Sequence, residues 1–213
     1  HKLINRPALF FRAIYQFVLR VTAPLAVLVL RIRFRGIRQI PHKGPFIVCC
    51  NHRSVIDPWL LAIGFRQHLY FIAKSELFTD HGPHAARFLS AMGAIPIRRN
   101  CADRKGLRMA EKVLERGDVV GIFPQGKVLF DNAPFRPKSG AILLAAYVGV
   151  PIVPVSIWCK GPWKPFKKVT IRFGKPIPAE TFAGAEKDRQ QMRKCSKLLA
   201  DIINSQLEEG HHP

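Results

Sequence analysis

The sequence predicts an α/β fold: a single domain with a mostly mixed β-sheet flanked by helices, preceded by an N-terminal amphipathic helical membrane segment. Three observations predict it. Short apolar runs alternate with stretches of helical periodicity, the pattern of layered α/β domains. A length of 213 residues with 48% hydrophobic content suits one domain with a sizeable core and excludes a disordered chain. The first thirty residues are apolar with interspersed cations and no acidic residue. The expected division is 1–30 for the N-terminal segment and 31–213 for the α/β domain.

Residues 7–30 hold Phe10, Phe11, Ile14, Phe17 and the run from Val21 to Leu30, interrupted by Arg12 and Arg20. The uninterrupted apolar part is shorter than the about 20 residues a bilayer span needs. One or two helices lying in the membrane interface fit better, with Pro24 expected to kink them. A pair of helices packed on the core is the other reading. Arg31 to Arg35 alternates like a strand, and Gly36 to Gly44 reads as a loop. Phe46 to Cys50 is a continuous apolar run, as in a strand buried on both faces. A helix is expected to start at Pro58. Further strands are expected over Tyr70–Ala73, Ala94–Ile97, Val119–Phe123, Ile152–Trp158 and Val169–Phe173. Helices are expected over His84–Met92, Lys105–Arg116, Lys138–Val148 and Glu186–Leu207, with Gly117 and Gly149 as stops.

Composition narrows the partners. The net charge is +20, from 34 Lys plus Arg against 14 Asp plus Glu, and no acid precedes Asp57. Such a balance calls for an anionic partner. Interleaving of the cations with apolar residues favours an anionic membrane surface over nucleic acid, for which no motif is present. Five cysteines, odd in number and unevenly spaced, imply no disulfide framework. His81 and His84 lack companion ligands, so no metal is expected, and no cofactor either.

Chemistry concentrates at Asn51-His52-Arg53-Ser54-Val55-Ile56-Asp57-Pro58, where a strand hands over to a helix. Ligand and catalytic loops of α/β proteins sit at such places. A neutral imidazole accepts a proton near pH 7, and a carboxylate holds it in the required tautomer. A spacing of five does not align two side chains on a helix, so His52 and Asp57 meet only if the chain turns between them. Asp57 followed by Pro58 also reads as a plain helix start, with Asp as N-cap. Gly121 to Lys127 fits a phosphate loop in spacing alone. Val128 stands where a metal-binding Ser or Thr is needed, and Pro124 offers no N–H. No Gly-x-Ser-x-Gly elbow is present. Cys49 and Cys50 lie in an apolar strand, which favours inert thiols over a nucleophile.

Four blocks in order resemble the glycerolipid acyltransferases, the 1-acyl-glycerol-3-phosphate acyltransferase group. Asn51-His52-x-Ser54-x-x-Asp57 matches its HX4D motif. Gly93 to Arg99, Phe123-Pro124-Gln125-Gly126, and Val150 to Val155 resemble its second, third and fourth motifs. The resemblance implies acyl transfer from acyl-CoA or acyl carrier protein to the free hydroxyl of a lysophospholipid, lysophosphatidic acid first, in phospholipid biosynthesis. It implies His52 as general base and Asp57 as its orienting carboxylate. Substrate-binding roles fall on Lys74, Arg99, Gln125, Gly126, Lys127 and Lys138. It also implies membrane association, expected on the cytoplasmic face. The third motif departs from the family: Gln125 replaces the usual Glu, and Lys127 and Val128 replace Thr and Arg. Losing that Arg removes a bidentate phosphate clamp, for which a Lys is a less directional substitute. The departures leave open a different lysolipid or a non-phosphorylated hydroxyl or amine acceptor. An inert protein binding anionic membranes is the reading from another class.

Overall fold

The structure, a computed structural model, describes residues 6–65, 67–98, 103–129, 133–161, 164 and 166–209, with side chains from residue 13 onward. The chain forms α1 (Arg6–Val29), β1 (Ile32–Arg35), β2 (Phe46–Cys50), α2 (Asp57–Gly64), β3 (Leu69–Lys74), α3 (Glu76–Thr79) and α4 (Gly82–Ala91). It continues with β4 (Ile95–Ile97), α5 (Arg104–Glu115), β5 (Val119–Ile122), α6 (Gly140–Val148), β6 (Ile152–Cys159), β7 (Val169–Phe173) and α7 (Arg189–Glu208).

The seven strands make one mixed sheet in the order β1-β7-β6-β2-β5-β3-β4. Strands β2 to β6 are mutually parallel, while β7 runs antiparallel to β6 and β1 parallel to β7. The five parallel strands therefore deliver their C-terminal ends to one edge of the sheet, where open α/β sheets hold their ligands. The loop 51–56, the turn after Lys74, Arg98, the 123–129 segment and Gly161 all lie there.

Strand β2 shows why its sequence is apolar throughout. Phe46, Val48 and Cys50 point into one core with α1 and α2, and Ile47 and Cys49 into the other with α5, α6 and α7. Successive strand side chains face opposite sides, and both sides here are covered. Helices α1 and α5 thus lie on opposite faces of the sheet.

The N-terminal segment is one helix, continuous through Pro24, not two. One side packs inward through Tyr15, Leu19 and Ala26, while Ile14, Phe17, Val21, Leu25 and Leu28 are exposed. The Trp59 indole N–H donates to Thr22 Oγ1 at 3.1 Å, tying α1 to α2. No described helix is long and apolar enough to cross a membrane.

Expected elements recur with shifted ends. The terminal helix begins at Arg189, because Asp188 accepts the Gln190 N–H at 2.7 Å and sets the cap there. Helix α6 begins at Gly140 instead of Lys138, and α4 at Gly82 instead of His84. The single-turn α3 and the 3-10 turn Ile37–Gln39 were not expected; both are too short to show a helical period. Phe123 leaves the sheet, since β5 ends at Ile122.

Gly121 of β5 lies opposite Phe71 of β3. A Cβ there would run into the Phe71 ring, which stacks on Phe123 at 5.7 Å between centroids. Gly121→Ala is expected to destabilise the fold by about 1–3 kcal/mol through overpacking. Thermal unfolding checks this: an unchanged Tm would mean the ring has room to move aside.

Candidate active site

The residues between β2 and α2 form a turn closed by one carboxylate oxygen. Asp57 Oδ2 accepts from the backbone N–H of Arg53 at 2.6 Å and of Ser54 at 2.8 Å, and meets His52 Nδ1 at 2.8 Å. A carboxylate already surrounded by donors can only accept, so His52 Nδ1 carries a proton, and in the neutral imidazole the lone pair then falls on Nε2. Asp57 is fully buried, and the His52 side chain is 14% exposed. Nε2 has no partner among the described residues. Asp57 also does not cap its own helix. The cap residue is Ile56 and no side chain bonds the first turn. The carboxylate bonds backward, into the preceding loop.

Neighbouring strands hold the turn. Asn51 accepts the Ile157 N–H at 2.7 Å and donates to the Ile157 carbonyl at 3.0 Å. Its amide thereby extends the β2–β6 ladder by one side chain. Arg53, 1% exposed, donates to the carbonyls of Cys159 at 2.6 Å and Gly161 at 3.1 Å. Burying a guanidinium demands such acceptors. Arg53 anchors the loop to the end of β6.

The third block completes the setting. The His52 N–H donates to Gln125 Oε1 at 2.9 Å, and the Leu129 N–H donates to the His52 carbonyl at 2.8 Å. Phe123 stacks on the imidazole, 4.2 Å between centroids and 21° between planes. The histidine is therefore fixed by its ring nitrogen, its ring face and both backbone groups.

Burial pushes the thiols of Cys49 and Cys50 well above their ordinary range, and for Cys50 the Asp57 charge adds to it. A nucleophilic cysteine needs the thiolate, so both act as small apolar side chains.

A family comparison decides the class. The family model described as Acyltransferase matches residues 31–158.

The chain belongs to the acyltransferase family.

Its class of chemistry is O-acyl transfer. The acyltransferase is 28% identical over 149 residues to the 1-acyl-sn-glycerol-3-phosphate acyltransferase of Bacillus subtilis (strain 168), covering 68% of this chain and 73% of that one. It is 26% identical to the enzyme of the same name from Pseudomonas aeruginosa, covering 96% of this chain and 85% of that one. The crystal structure of the 1-acyl-sn-glycerophosphate (LPA) acyltransferase from Thermotoga maritima superposes with a TM-score of 0.73 at 23% identity, covering 99% of this chain and 85% of that chain, a likeness of fold.

The acyltransferase brings some expected site residues together and leaves others apart. His52, Asp57 and Gln125 are joined by direct hydrogen bonds. Gly126 takes φ +73°, and a Cβ on it would lie 3.3 Å from Lys138 Nζ, so the amine sits over this glycine. The Lys138 N–H also donates to the Pro124 carbonyl at 2.8 Å. Lys127 is exposed on the same segment. Lys74 ends β3 and pairs with Glu76 at 3.1 Å. The Ser75 hydroxyl, foremost, then the backbone N–H of Glu76 and then Lys74 hold the Glu76 carboxyl below its ordinary value. No hydrogen bond or ion pair joins Lys74 to His52 among the described residues. Arg99 lies outside the described residues. Asn51, Arg53, Phe123 and Leu129 carry supporting roles that residue type and spacing did not signal. Only the aromatic at the end of an apolar strand gave a hint.

Gln125 in place of Glu keeps the acceptor that His52 needs. Gln125→Glu is expected to retain activity within a few-fold. Gln125→Leu leaves a partly buried N–H unpaired, at about 1–3 kcal/mol. Steady-state kinetics beside thermal unfolding checks this; full activity of the Leu variant would remove the clamp role.

Proposed function

We propose that this chain is a membrane-associated acyltransferase that moves a fatty acyl group from a thioester to the free hydroxyl of lysophosphatidic acid. The observation that carries it is the His52–Asp57 pair with an accessible Nε2. The relatives named for acting on 1-acyl-sn-glycerol-3-phosphate support the acceptor. His52 Nε2 takes the proton of the acceptor hydroxyl, and the oxygen attacks the thioester carbonyl. The tetrahedral intermediate collapses by breaking the C–S bond. The imidazolium returns its proton to the departing thiolate, giving the ester and a free thiol. Asp57 holds the tautomer and stabilises the imidazolium. Lys127 and Lys138, with Arg99, supply cations for the phosphate, and Gly126 lets Lys138 approach.

Membrane association rests on α1. Phe17, Val21, Leu25 and Leu28 form an exposed stripe at helical spacing, with Phe17 68% and Leu28 74% exposed. Arg20, Arg31 and Arg33 flank it. Val55, in the loop between His52 and Asp57, is 82% exposed. Helix α1 contacts α2, which follows that loop directly. A bilayer on the stripe accordingly meets the protein close to where a lipid hydroxyl must reach Nε2.

The catalytic test compares His52→Ala and Asp57→Asn with the wild type on labelled acyl donors and lysophosphatidic acid. Both variants are expected to lose about 10²–10⁴-fold in kcat. Asp57→Asn keeps the oxygen that accepts from Arg53 and Ser54, so its Tm should stay within a few degrees. Full activity of Asp57→Asn at unchanged stability would reject the dyad. Equal use of dephosphorylated monoacylglycerol by the wild type would reject the phosphate site.

The membrane test replaces Phe17 and Leu25 by Asp. Withdrawing two side chains that would insert into the bilayer is expected to weaken vesicle binding by about 3 kcal/mol or more, on the order of 100-fold. Unchanged co-sedimentation with anionic vesicles would remove α1 as the docking element.

A further inference from the structure

Phe123 leaves the sheet directly after β5 and comes to lie against the His52 imidazole. A turn puts it there. The Gly126 N–H donates to the Phe123 carbonyl at 3.0 Å, closing Phe123-Pro124-Gln125-Gly126. Proline favours the second place of such a turn and disfavours helical backbone at the residue before it. The Lys138 N–H fixes the turn from outside by donating to the Pro124 carbonyl at 2.8 Å. One turn thus delivers two groups to one histidine. The Gln125 amide meets its backbone N–H, and the Phe123 ring meets its face.

The stack has a third member. Phe123 lies 21° from the His52 plane with centroids 4.2 Å apart, and 13° from the Phe71 plane with centroids 5.7 Å apart. Phe71 is buried on β3, and β5 makes room for it with Gly121. An aliphatic side chain at 123 would also cover the imidazole. What an aromatic ring adds is its quadrupole, negative on the face. Neutral rings prefer offset or edge-to-face pairing, whereas a cation gains by lying over a face. His52 becomes a cation once Nε2 takes a proton. Its centroid distance is inside the about 6 Å over which a ring face attracts a cation. The His52 side chain is 14% exposed, so water screens that attraction weakly. Asp57 is the charged group that bonds His52 among the described residues, and it does so at the Nδ1 edge of the ring. Phe123 takes the face, where the imidazole has no hydrogen-bonding atom.

We propose that Phe123 is a positioning residue for the base: it holds the imidazole plane, and its ring face stabilises the charge that His52 gains on taking the acceptor's proton. This rests on the acyl-transfer reading above. Phe71 orients the Phe123 ring and acts on His52 only through it.

The test keeps the shape of the ring and withdraws its electrons. In the full chain, Phe123 is replaced by mono-, di- and trifluorinated phenylalanine, and in a separate variant by Phe123→Leu. Four quantities are measured: kcat, KM for each substrate, Tm, and the rate at which diethyl pyrocarbonate modifies His52, followed by mass spectrometry of its peptide. That modification places positive charge on the same imidazole and needs no substrate. With each added fluorine, kcat is expected to fall stepwise at unchanged KM and Tm. Phe123→Leu is expected to lose about 2- to 30-fold in kcat. The modification rate should follow the same order. The fluorinated series decides even where Phe123→Leu fails to fold, because its rings keep their size. A kcat indifferent to fluorination overturns the proposal and leaves Phe123 as apolar packing. An effect confined to KM overturns it in favour of a substrate contact. If the wild type transfers no acyl group, the modification rate decides: grading by fluorination upholds the role of the ring and overturns the acyl-transfer reading instead, and an ungraded rate overturns both.

Discussion

One oxygen atom organises this protein. Asp57 Oδ2 gathers the His52 imidazole and the N–H groups of Arg53 and Ser54, and that convergence folds the loop between β2 and α2. Three bonds to a single oxygen leave Asp57 Oδ1 buried with no partner among the described residues. A buried acceptor left unmade costs about 1–3 kcal/mol. Collapsing the turn onto the other oxygen offsets it and sets the tautomer of the base in the same move. The local chain conformation and the protonation of Nδ1 have one cause.

The surroundings serve that turn. Asn51 ties it to β6 in place of a backbone pair, Arg53 spends its guanidinium on carbonyls at the end of the same strand, and Gln125 and Leu129 hold the two backbone groups of His52. Each tether comes from the C-terminal edge of the parallel strands, so the mixed sheet acts as the jig. The exchange of Glu for Gln in the third block fits this picture. The atom in use is a carbonyl-type acceptor facing an amide N–H, and that contact does not require a charge.

The sheet also separates two surfaces of different character. Its α1 side carries exposed apolar residues beside the catalytic loop, and its α5 side carries a row of exposed cations.

The sequence by itself determined the α/β class, the strand β2 as an apolar run, the motif residues His52 and Asp57, and the helix stops at Gly117 and Gly149. These follow from local periodicity and turn chemistry, which neighbouring residues encode. Helix starts were less legible: the terminal helix begins at Arg189, three residues beyond the expected start at Glu186, because the cap falls at Asp188 and the preceding turn competes for the same chain. Tertiary structure alone decided that Asp57 bonds backward and not into its own helix, since the turn is stabilised by tethers more than a hundred residues away, at Ile157 and Cys159. It alone buried Arg53, which residue type assigns to the surface, and stacked Phe123 on His52. Strand order had the same status, because β2 lies beside β5 and β6 through pairings that no local pattern records. Long-range contacts close loops whose entropy cost varies only slowly with length, so spacing along the chain carries little record of them.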